Sequence, residues 1–265
     1  MNWEPVRADH AIDRVVASIT LPKATDANTF DELVVAGRKI AAGRQLTDRV
    51  DLQDAIEVPP GQNVVIALGS MTPPRRVVFR RLEANTNTPV EELSIGARQL
   101  AFTTVRYRRW ADFYHLIITV MAALDQVCPI TQNAQLVRLE YIDRFQSAPG
   151  GADHFEVLSR DSIFLTPVVR DKDGALHVHS GWFDFETPRI RRLTNVNIDV
   201  NDTPVPPPPD ARRSISVISM GQFEALDGAL DNPLQRLEAL HDYLKATFGS
   251  IITQEAADRV ALNAA

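Results

Sequence analysis

Residues 94–146 narrow the choice of fold more than any other part of the chain, because three successive segments there carry three hydrophobic patterns. From Ser94 to Tyr107, the residues Ile95, Ala97, Ala101, Val105 and Tyr107 alternate with Arg98, Thr104 and Arg106, the two-residue period of a strand. Leu100 and Phe102 fall on the polar side, so this strand is expected to be covered on both faces. From Arg109 to Cys128, Trp110, Phe113, Leu116, Ile117, Val120, Met121, Leu124 and Val127 recur three and four apart, which predicts a helix with one buried stripe. Pro129 ends it by disfavouring helical geometry at Cys128. From Leu136 to Gln146 the alternation returns, with Val137, Leu139, Tyr141 and Phe145 set against Arg138, Glu140 and Arg144. Strand, helix and strand in that order can nucleate a core, and they contain no catalytic signature.

The flanking sequence extends the same alternation of element types. Strands are predicted over 11–21, 64–68 and 75–82, and a helix over 28–42 capped by Asp26 or Asn28. Residues 48–61, polar with Pro59 and Pro60, read as a loop, and 85–93 (NTNTPVEEL) as turn chemistry. The segment 147–153 (SAPGGAD) is the best boundary, dividing an N-terminal α+β half, 1–147, from a strand-rich half, 148–265, that ends in helices. Strands are predicted there over 155–169, 175–186, 191–200 and 213–223, the first two joined by a DKDG hairpin at 171–174. Pro206 to Pro209 predict an extended connector, since prolines lack an N–H and hold φ near −65°. A helix then starts at Pro233 and buries Leu234, Leu237, Leu240, Leu244 and Phe248, and Thr253 caps a last short one. The expected fold class is α+β, with mostly antiparallel sheets that each pack a long helix; two similar sheet-plus-helix halves are one way to build it.

With 45% hydrophobic and 23% charged residues, the 265-residue chain can bury a sizeable core. Its formal charge of −6 argues against a general nucleic-acid binder, which needs a positive field. One cysteine, Cys128, excludes an internal disulfide and any multi-cysteine metal site. Residues 1–10 hold Glu4, Arg7 and Asp9 and no apolar run, so no signal peptide is expected, and 116–124 is too short to span a membrane. A cytoplasmic location is the resulting expectation.

Several segments, taken in order, resemble a sporadically distributed family of uncharacterised bacterial proteins. They are Trp3-Glu4-Pro5 and Asp9 to Val15 near the start, then Phe102 to Tyr107 with Trp110 and Phe113. The strand Leu139 to Phe145 follows, and Phe248, Ile251, Ile252, Thr253 and Glu255 complete the pattern. Where the family pattern usually has an Arg before the tyrosine and an Asn after it, this chain has Glu140 and Asp143. The resemblance spans nearly the whole chain and so implies one continuous unit; it implies no activity.

Two arginine clusters stand out, Arg75, Arg76, Arg80 and Arg81, and then Arg98, Arg106, Arg108 and Arg109. If their strands are neighbours they form a basic stripe; with Tyr107 and Trp110 interleaved, such a stripe can hold phosphate or single-stranded nucleic acid. Cross-strand ion pairing with Glu83, Glu140 and Asp143 is the simpler reading. Arg98, Arg106, Tyr107, Arg108 and Trp110 are therefore candidate partner- or ligand-binding residues, and Trp182, with Phe183 and Phe185, can line an apolar cavity. His177 and His179 share one face of a strand and are weak metal candidates whose third ligand would be His154 or Asp184. Asp112 and His115, one helical turn apart, read more simply as a solvated helix face than as an acid–base pair. No cofactor, metal or catalytic residue is expected.

These readings favour a non-enzymatic protein that binds a macromolecular partner, with a protein partner or a homodimer ahead of nucleic acid and with no membrane. A regulator or antitoxin-like role is compatible with them. A small-molecule binder with a cavity between sheet and helix is the alternative, and a metal-dependent hydrolase using His177 and His179 a further one. A pocket between sheet and helix would favour the second reading.

Overall fold

The structure is a computed structural model and describes residues 1–53, 75–149, 152–201 and 212–262. It opens with β1 (Trp3–Pro5), β2 (Ile12–Thr20), α1 (Ala27–Gly43) and β3 (Asp48–Gln53). Next come β4 (Arg75–Leu82), β5 (Pro89–Gly96), β6 (Gln99–Thr104), α2 (Trp110–Asp125), a one-turn α3 (Ile130–Asn133) and β7 (Leu136–Ser147). The rest contains α4 (Pro167–Arg170), β8 (Leu176–Thr187), β9 (Ile190–Asn201), β10 (Ser214–Ala225), α5 (Pro233–Gly249) and α6 (Gln254–Arg259). The protein is thus α+β, with ten strands and six α-helices among the described residues.

All strands join one antiparallel sheet in the order β3-β4-β5-β6-β2-β7-β10-β9-β8, with β1 also on β7. This corrects the expectation of separate sheets. The long strands β2 and β7 pair from Ile12↔Asp143 to Thr20↔Leu136, with one register shift between Ile12 and Arg14, so a single sheet runs through the middle of the molecule. Hydrophobic period alone reports which face of a strand is buried and never which strand lies beside it.

One face of the sheet carries the helices. Val15, Ala17 and Ile19 of β2, Val137 and Leu139 of β7, and Phe223 of β10 join one apolar cluster with Phe113, Ile117 and Leu124 of α2 and Leu237, Leu240 and Leu244 of α5. A second cluster unites Phe145, Val196, Ile198, Ile215 and Val217 with Trp3, Phe155, Phe248 and Ile252. Helix α1 starts where Asp26 accepts a hydrogen bond from the Thr29 N–H at 2.9 Å. It lies so close to β5 that a Cβ on Gly37 would sit 2.1 Å from Ile95 Cδ1. On the opposite face Arg138, Glu140, Ile142 and Arg144 are all partly exposed.

The predicted strand over 94–107 is in fact the end of β5, a turn at Ala97–Arg98, and β6. Leu100 and Phe102 looked out of phase because the turn reverses parity. Ile95 pairs Leu100 and Leu93 pairs Phe102, and all four are fully buried. Residues 155–169 are no strand either; a 3-10 turn at His154–Glu156 and α4 occupy that region, and the hairpin instead joins β8 to β9. Asp48–Gln53, read as loop, pairs with β4 as an edge strand, which its polar composition concealed. The 64–68 strand and Pro206 to Pro209 lie outside the described residues.

Candidate functional site

Above the central strand pair, the helix layer leaves a cavity of about 660 Å³. Its floor is Tyr141 and Asp143 of β7 with Ser219 of β10, brought together by the register Ser219↔Tyr141 and Val217↔Asp143. One wall is the segment leading into α2, Tyr107 to Ala111, and the opposite wall is α5, through His241, Leu244, Lys245 and Phe248. Residues 9–12 close one end, where a register shift between Ile12 and Arg14 breaks the β2–β7 ladder opposite Asp143.

Asp143 is the unusual residue. It occupies the inward parity of β7, in line with Val137, Leu139, Tyr141 and Phe145, and is 3% exposed. Among the described residues its carboxyl meets no hydrogen-bond donor and no cation. Burial alone pushes its pKa from 3.8 up to about 8, so at neutral pH it holds its proton. The Ser219 hydroxyl, 1% exposed, also has no hydrogen-bond partner among the described residues. Buried polar groups are nearly always paired, and these two lie together on the floor of one cavity.

The walls, by contrast, are held rigidly. The Tyr107 and Tyr141 rings meet edge to face, 6.0 Å between centroids, and burial pushes both phenols well above their ordinary value. Tyr141 in turn lies 2.9 Å from His241 Nδ1. Burial lowers the His241 imidazole to about pH 4, so it is neutral at pH 7. The Trp110 ring lies flat between His241, at 4.3 Å between centroids, and Tyr114, at 5.2 Å, which locks the start of α2 to α5. His10 Nε2 reaches the Tyr107 carbonyl at 2.9 Å, while its Nδ1 and Trp110 Nε1 are buried without hydrogen-bond partners among the described residues. The arrangement is suited to binding: a protonated acid and a free hydroxyl at the bottom, rigid aromatic and apolar walls, and Arg108, Arg109 and Lys245 along the lining.

Of the candidate residues, the fold brings Tyr107, Arg108 and Trp110 to this cavity. Both faces of Trp110 are occupied, so it offers no stacking platform. Arg106 opens instead on an adjoining cleft. Arg98 is elsewhere, donating to the Leu21 carbonyl at 2.7 Å and to Gln135 Oε1 at 3.2 Å. Trp182 stacks on Phe164, 5.8 Å between centroids, in the second cluster, and Phe183 and Phe185 point to the other face of β8. Strand β5 separates β4 from β6, so the two arginine clusters do not lie on neighbouring strands.

His177 and His179 lie exposed on the edge strand, where His177 Nδ1 pairs with Asp199 at 2.6 Å. Among the described residues no group of three or more His, Cys, Asp or Glu side chains could hold a metal. His154, suggested as a third ligand, is buried in the protein, and Asp184 is engaged by Arg192 at 2.8 Å. Asp112 pairs with Arg109 at 3.4 Å. Burial, followed by nearby Asp125 and Asp26, raises the Cys128 thiol, in keeping with an inert side chain.

No family model, curated protein or solved structure matches the chain. The sequence reading offers Asp143 as an ion-pairing partner and does not single out Ser219 or His241. The signal was present for two of them: Asp143 and Ser219 each continue an otherwise apolar alternation, Val137 to Phe145 and Ile215 to Phe223. His241 carried none, since it borders the buried stripe of α5 without belonging to it. No helix among the described residues is long and apolar enough to cross a membrane.

Proposed function

We propose that the protein binds a small organic molecule in the cavity between the central strands and helices α2 and α5. The observation that carries this reading is Asp143, a buried carboxyl facing a cavity of about 660 Å³ with no partner of its own. That volume falls within the range of about 300–1,000 Å³ usual for small-ligand sites. The ligand has a hydrogen-bonding group that meets Asp143 and Ser219 at the floor, and an apolar body against Leu244, Phe248 and Leu262. Binding is the role, with no bond made or broken. Three segments on which the family resemblance rests contribute His10, Tyr107 and Tyr141 to the lining, and membership of that family is part of the proposal.

The test is a thermal-shift screen of small polar metabolites, with hits measured by equilibrium dialysis. Hits should lose about tenfold or more in affinity in Asp143→Leu and Ser219→Ala variants, since a charge-assisted or buried hydrogen bond contributes roughly 1–3 kcal/mol. A ligand whose affinity is unchanged in both variants binds elsewhere and would overturn the reading.

A second reading, a protein partner or a second copy of the chain, is supported by Phe183 and Phe185, 53% and 64% exposed on edge strand β8. An exposed strand edge with apolar side chains favours association. The strand order also supports two similar halves, since β6 and β10, each followed by a long helix, flank the central pair β2–β7. Sedimentation of the wild type against a Phe183→Ser, Phe185→Ser variant tests this: a monomer in both cases removes the homodimer.

A further inference from the structure

We infer that a cleft beside the first cavity is an anion site for the phosphate group of a small phosphorylated molecule. The cleft, about 390 Å³, is built from four separate parts of the chain. Arg44 comes from the end of α1, Arg81 from β4, and Arg106 and Arg108 from the segment between β6 and α2. Glu91, 2% exposed on β5, lies between the first two. Arg44 Nε donates to Glu91 Oε1 at 2.6 Å, and Arg81 donates to Glu91 Oε2 from across the strand pair, at the register Arg81↔Glu91.

This carboxylate does two things. It holds two guanidinium groups in fixed planes at the wall of the cleft, and it neutralises only one of their two charges. Arg106 and Arg108 are exposed, line the same cleft, and form no ion pair or side-chain hydrogen bond among the described residues. The remaining acid in the lining, Asp112, is already met by Arg109 at 3.4 Å. The cleft therefore keeps a positive excess in a protein whose formal charge is −6, in a concave site with fixed donors. Guanidinium forks in that setting match the oxygens of a phosphate.

The cleft is too small for a folded partner. Trp110 and Tyr107, which single-stranded nucleic acid would need for base stacking, are covered on their faces or buried. A phosphate carried by a small molecule is the occupant these features fit. Tyr107 and Arg108 line both cavities, so a group bound here lies alongside the Asp143 cavity; the inference does not depend on that cavity being occupied.

Pyrophosphate titrated by isothermal calorimetry at constant ionic strength, with chloride as the control anion, tests the site. Saturable binding is expected, weakened about tenfold or more in an Arg106→Ala, Arg108→Ala variant. Both residues are exposed, so this variant should fold, which its circular dichroism verifies. An Arg38→Ala, Arg189→Ala variant, with the same change in net charge elsewhere, should bind as the wild type does. Equal loss in both double variants, or pyrophosphate binding no stronger than chloride, overturns the inference. Hexathymidylate bound more tightly than pyrophosphate and lost in the Arg106→Ala, Arg108→Ala variant would overturn it in favour of nucleic acid.

Discussion

Replacing Asp143 by Asn should change how the stability of the protein depends on pH, and the size of the change follows from its burial. In the unfolded chain this carboxyl titrates near 3.8, while in the fold burial holds its proton up to about pH 8. Between those values the folded state binds a proton that the unfolded state has released. Each unit of rising pH then favours unfolding by about 1.4 kcal/mol. Below 3.8 both states are protonated and above about 8 both are ionised, so the effect is confined to that window. Asn cannot ionise, so the variant lacks this slope, and subtracting the two curves cancels every other titrating group. From pH 5 to pH 8 the wild type should lose about 4 kcal/mol relative to Asp143→Asn. Urea unfolding of both proteins at half-unit intervals from pH 5 to 9 measures it. Parallel curves across the window would refute the reasoning, since they would mean that the carboxylate ionises freely in the fold.

Three further outcomes are expected. Leu124→Ala, fully buried where α2 meets the core, should cost ~2–5 kcal/mol in the same unfolding assay, through lost burial and the cavity left behind. Gly37→Ala should destabilise by roughly 1–3 kcal/mol, because its new methyl meets Ile95 Cδ1 and α1 must lift from β5; unchanged stability would show that the helix can shift without cost. The His241 imidazole should titrate near pH 4 by NMR. Because its folded pKa lies below the unfolded value of 6.5, the stability tied to its neutral form should be lost as pH falls through that interval.

The element types of the centre were legible in the chain because hydrophobic period is a local property. Helix α2 falls inside its predicted span and buries Phe113, Ile117, Val120, Met121 and Leu124 as its spacing indicates. Strand β7 alternates as read, and Thr253 caps α6 through its hydroxyl. Where the period failed, a turn had intervened: Ala97 and Arg98 reverse parity between β5 and β6 and made one long strand out of two. Which strands neighbour each other was not legible, since β2 and β7 are joined by pairing across more than a hundred residues and no local pattern encodes a partner. The cavity belongs to that second kind of information. Asp143 shows its inward parity in the sequence, but whether an inward carboxyl finds an arginine or a cavity depends on what the opposite layer presents. Here α5 and the segment leading into α2 place Tyr107, His241 and Leu244 around it and, among the described residues, no cation against its carboxyl, and only the packing of the helix layer over the sheet could leave it so.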